Sequence, residues 1–192
     1  MTDVILDAKG LRALAHPVRV QLTGLLRMYG PSTATRLAER LGIVSGAASY
    51  HLRQLASAGF VAEDTELGNA RERWWRAVHR VTRIEDEDLA EQEPEAMLGF
   101  VRGVAAAHAL RTQIAVAAYP ALPRPWREAL DMSDWILRLT PQEAVELDGE
   151  LRAVIERYRQ DGPGADAPAG AERVSLVLHL LPDPAADGQD AA

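Results

Sequence analysis

Residues Pro31 to Phe60 read PSTATRLAERLGIVSGAASYHLRQLASAGF: two short helical patterns joined by a tight turn and stopped at a glycine. Ser32 and Thr33 are side chains of the kind that cap a helix start, and Leu37, Ala38 and Leu41 follow at the spacing of one helix face. Gly42 sits just past this first pattern, where a left-handed residue costs least. Ser45 is placed to cap the second pattern, whose buried stripe is Ala48, Leu52 and Leu55. That stripe leaves Gly46, Ala47, Ser49, Tyr50, Arg53 and Gln54 on the opposite side. Small, hydroxyl, amide and guanidinium side chains together suit the base edges of a DNA major groove. The stretch reads as a helix-turn-helix whose second helix meets double-stranded DNA.

Working outward, Leu11, Leu14 and Ala15 begin a helix that must stop before His16-Pro17, since the residue ahead of proline is pushed out of helical geometry. Pro17 then suits the first position of a second helix, with Val18, Leu22, Leu25, Leu26 and Tyr29 as its core stripe. Gly24 inside that helix is read as a point of close packing. The opening MTDVILD is read as frayed or as a short arm. Downstream, Phe60–Glu63 and Arg73–Val78 read as two strands of a hairpin, with Gly68-Asn69 as the turn signal between them. Arg71 and Arg73 lie near its tip, where they could reach phosphates or the minor groove. Trp74 and Trp75 alternate, so one belongs to the core and the other covers a neighbouring helix.

LRALAHPVRVQLTGLL, then TATRLAERLGIVSGAASYHLRQLASAGFV, then the RERWW hairpin resembles the winged-helix repressors of the arsenic-repressor (ArsR) type, over about residues 10–79. The resemblance implies a dimeric repressor with one recognition helix per subunit, binding a roughly palindromic operator. Metal-sensing members carry a cysteine pair in the first helix of the helix-turn-helix. Leu37–Leu41 has none, which excludes that mode of sensing.

The fold class expected is therefore α+β, mostly helical: an N-terminal winged helix-turn-helix, then a helical dimerisation segment and a small two-strand and helix C-terminal unit. The division expected is residues 8–80 for DNA binding, 81–181 for dimerisation and a possible effector, and 182–192 as a disordered tail. Charge follows the same division. Residues 1–80 carry 11 Lys+Arg against 7 Asp+Glu, a surplus of +4, and residues 81–192 carry 10 against 21, which gives −11 of the total of −7. The total alone would argue against nucleic acid as a partner, whereas the first 80 residues argue for it. The chain has no cysteine, so thiol catalysis, disulfides and thiolate metal sites are out. MTDVILDAKG lacks the layout of a signal peptide, no apolar run is long enough for a membrane span, and a cytoplasmic location is expected.

In the second part, Glu85–Glu93 is an acidic linker or helix start, and Pro94 can open a long helix running to Tyr119. Met97, Phe100, Val101, Val104, His108, Arg111 and Ala115 lie along or near one of its stripes. A dimer interface is the favoured role for this helix, with intrachain core as the alternative. DWILRL within Ser133–Thr140 and VSLVLHLL at Val174–Leu181 read as an antiparallel pair of strands, and Thr140-Pro141-Gln142-Glu143 as a capping box opening a helix over 141–159. Ala144, Leu147, Leu151, Val154, Ile155 and Tyr158 would be its buried stripe, and Asp161–Ala171 a flexible loop. Beside this helix Tyr119, Trp126, Trp135 and Tyr158 could enclose a small apolar effector, although a dimerisation core of the same aromatics is preferred.

The candidate DNA contacts are thus Thr33, Thr35, Ser45, Gly46, Ala47, Ser49, Tyr50, His51, Arg53, Gln54, Arg71 and Arg73. Tyr50, Arg53 and Gln54 are the groove-facing ones. Thr33, Thr35 and Ser45 are caps that could also touch phosphate. His51 is assigned to holding the helix in place or to phosphate rather than to a base. The five histidines show no metal-ligand spacing, and no nucleophile elbow, phosphate loop or paired-carboxylate motif appears, so neither an enzyme nor a cofactor is expected. The alternative function is a winged helix used as a protein-interaction module without specific DNA binding.

Overall fold

A computed structural model describes residues 2–68, 72–84, 86, 88–158, 161 and 166–182. The chain forms two compact units, Met1–Arg124 and Pro125–Ala192. The architecture is α+β and mostly helical, as the sequence implies.

The first unit grows from the leucine pattern. Helix α1 (Ala8–Leu14) is capped by Asp7, whose side chain accepts from Gly10 N–H, and it ends before His16-Pro17 as the proline dictates. Helix α2 (Pro17–Tyr29) starts on that proline and buries Leu22, Leu25 and Leu26. Strand β2 (Ser32–Thr33) leads into α3 (Ala34–Leu41), and α4 (Ser45–Ser57) follows the turn. Gly42, at φ 65°, makes that turn in the left-handed region where a Cβ would be strained. Leu11, Leu14, Leu22, Leu37, Leu52, Leu55 and Phe60 close into one core, each leucine stabilising the fold by about 2–3 kcal/mol.

Strands β3 (Val61–Glu63) and β4 (Trp74–Ala77) pair antiparallel as the expected hairpin, and β2 adds to the other side of β4. Asn69, Ala70 and Arg71 lie outside the described residues. On the described side of the turn, Asp64 accepts from the backbone N–H groups of Glu66 and Leu67, a role its position after the strand did not advertise. Trp75 is buried in the core, and Trp74 is half-buried against α3, which resolves the alternating pair.

Two expectations for the N-terminal part are corrected. Thr2–Ile5 is not frayed: it is strand β1, parallel to β5 (His79–Arg83). The two strands are far apart in sequence, so only the folded chain brings them into register. Arg27 of α2 anchors β5 by donating to the His79 carbonyl at 2.8 Å and to Thr82 Oγ1 at 2.7 Å. Gly24 is also not a close-packing point, since a Cβ there would meet nothing within 4 Å.

After α5 (Leu89–Gln92), helix α6 (Pro94–Ala118) lies across α1 and α2 and belongs to the same compact unit. The close approach occurs at Gly99 and Gly103, where an added Cβ would sit 2.3 Å from the Ala15 carbonyl oxygen and 2.7 Å from Val20 Cγ2. Met97, Phe100, Val104, His108 and Arg111 turn inward, while Val101 and Ala115 are exposed. One face of α6 is therefore intrachain core, and its other face carries Leu98, Val101, Ile114 and Val116 outward.

Helix α7 (Arg124–Ala129) starts at the boundary between the units, and α8 (Pro141–Glu156) follows within the second. Helix α8 opens on the expected capping box: Thr140 N–H donates to Glu143 Oε2 at 2.7 Å, and Thr140 Oγ1 accepts from Glu143 N–H at 3.3 Å. The Thr140 N–H bond, and a second bond that Thr140 Oγ1 donates to the same carboxylate oxygen at 2.8 Å, favour the charged carboxylate and hold the Glu143 pKa below its usual value. Ala144, Leu147, Leu151 and Ile155 are half-buried, whereas Val154 and Tyr158 of the expected stripe are exposed.

The expected strand pair in this unit is corrected. Residues 130–140 and 171–182 take no strand or helix geometry. A two-stranded ribbon needs further strands or a covering layer to be stable, and Trp135 (75%) and Ile136 (98%) are exposed. Trp135 and Tyr158, two of the four aromatics expected to enclose a small apolar effector, are exposed. Part of the loop at 161–171 and nearly all of the 182–192 tail lie outside the described residues. Among the described residues no helix is long and apolar enough to cross a membrane.

Candidate nucleic-acid interface

The site is built on α4. Ala48, Leu52 and Leu55 recur on one face and are fully buried, which fixes the rotation of the helix against the core. By the same geometry Ser45, Gly46, Tyr50, Arg53 and Gln54 are exposed, with Ala47 and Ser49 half-exposed at the edges of the face. The exposed face combines a guanidinium, an amide, a phenol and a hydroxyl, and it contains no acidic side chain. Such a set can donate to guanine, pair with adenine and lie against a phosphate.

Ser45 is not the cap expected of it. Val44 holds the N-cap position without a side-chain hydrogen bond, and Ser45 is the first helical residue. The Ser45 hydroxyl is therefore not committed to a cap, and the early backbone N–H groups of α4 gain no side-chain acceptor at the N-cap.

Thr33 caps α3 as expected, accepting from Arg36 N–H at 3.4 Å, but it is 1% exposed. Its side chain is spent inside the fold, which removes it from the set that could touch a phosphate. Thr35, one turn position on, is exposed. The β2–β4 pairing sets Thr33 opposite Trp74, so the start of α3 is tied to the hairpin. Arg36 accordingly stacks its guanidinium 4.9 Å from the Trp74 ring centroid. Arg40 does the same over Tyr29 at 4.1 Å. Neither arginine was singled out by sequence, because the aromatic partner of each lies on a different element. Arg73 is exposed and lies 3.8 Å from the Glu63 carboxylate across the hairpin, and Arg71 is outside the described residues.

His51 belongs to the support of the site. Its ring packs on that of His16 with centroids 4.4 Å apart and on Tyr50 at 5.3 Å, edge to face. His16 is the N-cap of α2, its Nδ1 accepting from Val18 N–H at 3.2 Å. The stack therefore links the start of α2 to the middle of α4. Burial is the main reason that both histidines have pKa values below 6.5, with the nearby Arg19 adding to it in each case and His16 adding to it in His51. The buried Nδ1 of His51 has no hydrogen-bond partner among the described residues, so a proton there would meet no acceptor.

Among the described residues no group of three or more His, Cys, Asp or Glu side chains is arranged to hold a metal ion. Residues 14–64 match the family model of a helix-turn-helix domain. No curated protein matches the chain. The matched span contains α2, α3 and α4, the three helices whose packing exposes Tyr50, Arg53 and Gln54.

Proposed function

We propose that this chain is a sequence-specific transcriptional regulator that binds double-stranded DNA as a homodimer and acts as a repressor of the arsenic-repressor type, wherever in the cell the chromosome lies. One observation carries the reading: within a helix-turn-helix domain, α4 buries Ala48, Leu52 and Leu55 and turns Tyr50, Arg53 and Gln54 outward. In this reading α4 enters the major groove, with Arg53 and Gln54 on base edges and Tyr50 beside them. Ser45, Gly46, Ala47, Ser49 and Thr35 approach the phosphate backbone, where small residues allow close contact. Arg36, Arg71 and Arg73 supply cations on the flank formed by α3 and the hairpin. A two-fold dimer would present two such helices about one DNA turn apart, so the operator is a rough palindrome.

Selection of bound sites from a random DNA library tests the reading directly and should yield a palindromic consensus. Arg53→Ala should then weaken binding to that consensus by about 1–3 kcal/mol and relax preference at one base pair of each half-site. Enrichment of no sequence, or full affinity in the Arg53→Ala variant, sinks it. The acidic balance of −11 over residues 81–192 favours a second reading, a winged helix that binds another protein. That reading predicts no sequence-dependent mobility shift at either low or moderate salt.

A further inference from the structure

Among the described residues 125–182 none is buried, although the segment is rich in large apolar side chains. Trp135, Ile136, Leu137, Val174 and Leu176 are all more than half exposed. Taken together, the exposed large apolar residues of this unit present on the order of 1,500 Å², nearly twice the ~800 Å² that a standard interface takes from each partner. Much of this area lies in two segments, 135–139 and 174–181, which hold Trp135, Ile136, Leu137, Val174, Leu176 and Leu181.

The pattern within these segments says what fits them. Val174, Leu176, Leu178 and Leu180 occur at every second position, as do Trp135, Leu137 and Leu139, and period two is that of a strand. Neither stretch forms a strand in the single chain. Neither contains an acidic residue: 135–139 and 174–181 carry only Arg138 and His179 as ionisable groups. The acidic side chains surround these stretches, which disfavours nucleic acid or an anionic lipid surface as the occupant. A second apolar, alternating segment free of acidic residues fits, and another copy of this chain supplies two.

We infer that residues 135–139 and 174–181 become strands only when paired with a second copy of this chain, making the 125–182 unit the dimer interface. This rests on the homodimer in the reading above and assigns its location. In a two-fold arrangement each segment meets its counterpart antiparallel, so both copies satisfy the same backbone groups and cover the same apolar faces. The outward face of α6 is then not the interface.

Sedimentation equilibrium of the full chain at micromolar concentration tests this. The wild type should be a dimer. Leu137→Asp/Leu176→Asp should raise its dissociation constant on the order of 100-fold, because two carboxylates would enter a desolvated centre. Leu98→Asp/Val101→Asp, on the outward face of α6, should leave it unchanged. Both pairs are exposed in the single chain, and an unchanged helical circular dichroism signal checks that each variant folds. Hydrogen exchange on the wild type gives a second measure without substitution: amides of 134–139 and 174–181 should lose protection on dilution below the dissociation constant. A monomeric wild type, a dimer indifferent to Leu137→Asp/Leu176→Asp, or protection independent of concentration overturns the inference. Operator affinity, read separately, keeps the two proposals apart. A dimer without DNA binding defeats the regulator and leaves this interface standing, whereas a dimer lost only in Leu98→Asp/Val101→Asp defeats the interface alone.

Discussion

His51 shows how one side chain can matter to a binding helix without facing a ligand. It rests on His16, which caps α2 through an Nδ1 that must remain unprotonated to accept from Val18. Both histidines have folded pKa values below 6.5, so below that pH the unfolded chain takes up protons before the folded one. Their contribution to stability is complete above 6.5 and is lost as pH falls through the lower folded values. The thermal midpoint should therefore drop between about pH 7 and pH 5, and His16→Gln/His51→Gln should shallow that drop. An equal drop in both proteins would assign the pH dependence elsewhere. The outward set Tyr50, Arg53 and Gln54 was legible from spacing alone, because Ala48, Leu52 and Leu55 leave a helix only one other face. Arg36 was not, since its distinguishing contact is with Trp74, on a strand that pairs beside the start of α3.

At the scale of elements, glycines separate two kinds of helix position. Gly99 and Gly103 allow α6 to lie against the Ala15 carbonyl and Val20, and no sequence rule distinguishes them from a glycine that merely weakens a helix. Gly24 is of that second kind, open on the groove formed with Arg111 and Ile114. Gly99→Ala should therefore destabilise the first unit by about 1–3 kcal/mol through forced separation of α6 from α1. Gly24→Ala should stabilise it by about 0.5–1 kcal/mol through helix propensity. Urea denaturation measures both, and the opposite signs are the discriminating result. Strand β1 was missed for a related reason. Four residues without a turn or a neighbouring partner look like a frayed end, and β5, the strand that stabilises them, begins more than 70 positions later.

For the whole molecule, charge decides how an acidic protein can favour DNA. The total of −7 hides a surplus of +4 over residues 1–80, and exposed Arg36, Arg53 and Arg73 lie in or beside the helix-turn-helix. Binding should weaken steeply with salt, with a slope of about −0.9 in log–log form for each phosphate neutralised. Arg36→Ala should reduce that slope by about 0.9 while leaving base preference intact, which separates it from Arg53→Ala. A fluorescence anisotropy titration at three salt concentrations measures this, and an unchanged slope would remove Arg36 from the phosphate contacts.

The sequence by itself determined the helix-turn-helix, its turn at Gly42, the face of α4 that is free, the hairpin after it and the capping box of α8. Each depends on residues a few positions apart, where helix periodicity, capping and turn chemistry are local physics. Only the tertiary structure decided that β1 pairs with β5, that α6 turns one face inward at Gly99 and Gly103, and that Thr33 is buried while Arg36 stands by the hairpin. It also decided that 133–140 and 174–181 form no strands within one chain. Those outcomes depend on which distant surface is available to be covered, and period two in a sequence records a preference for pairing without naming the partner.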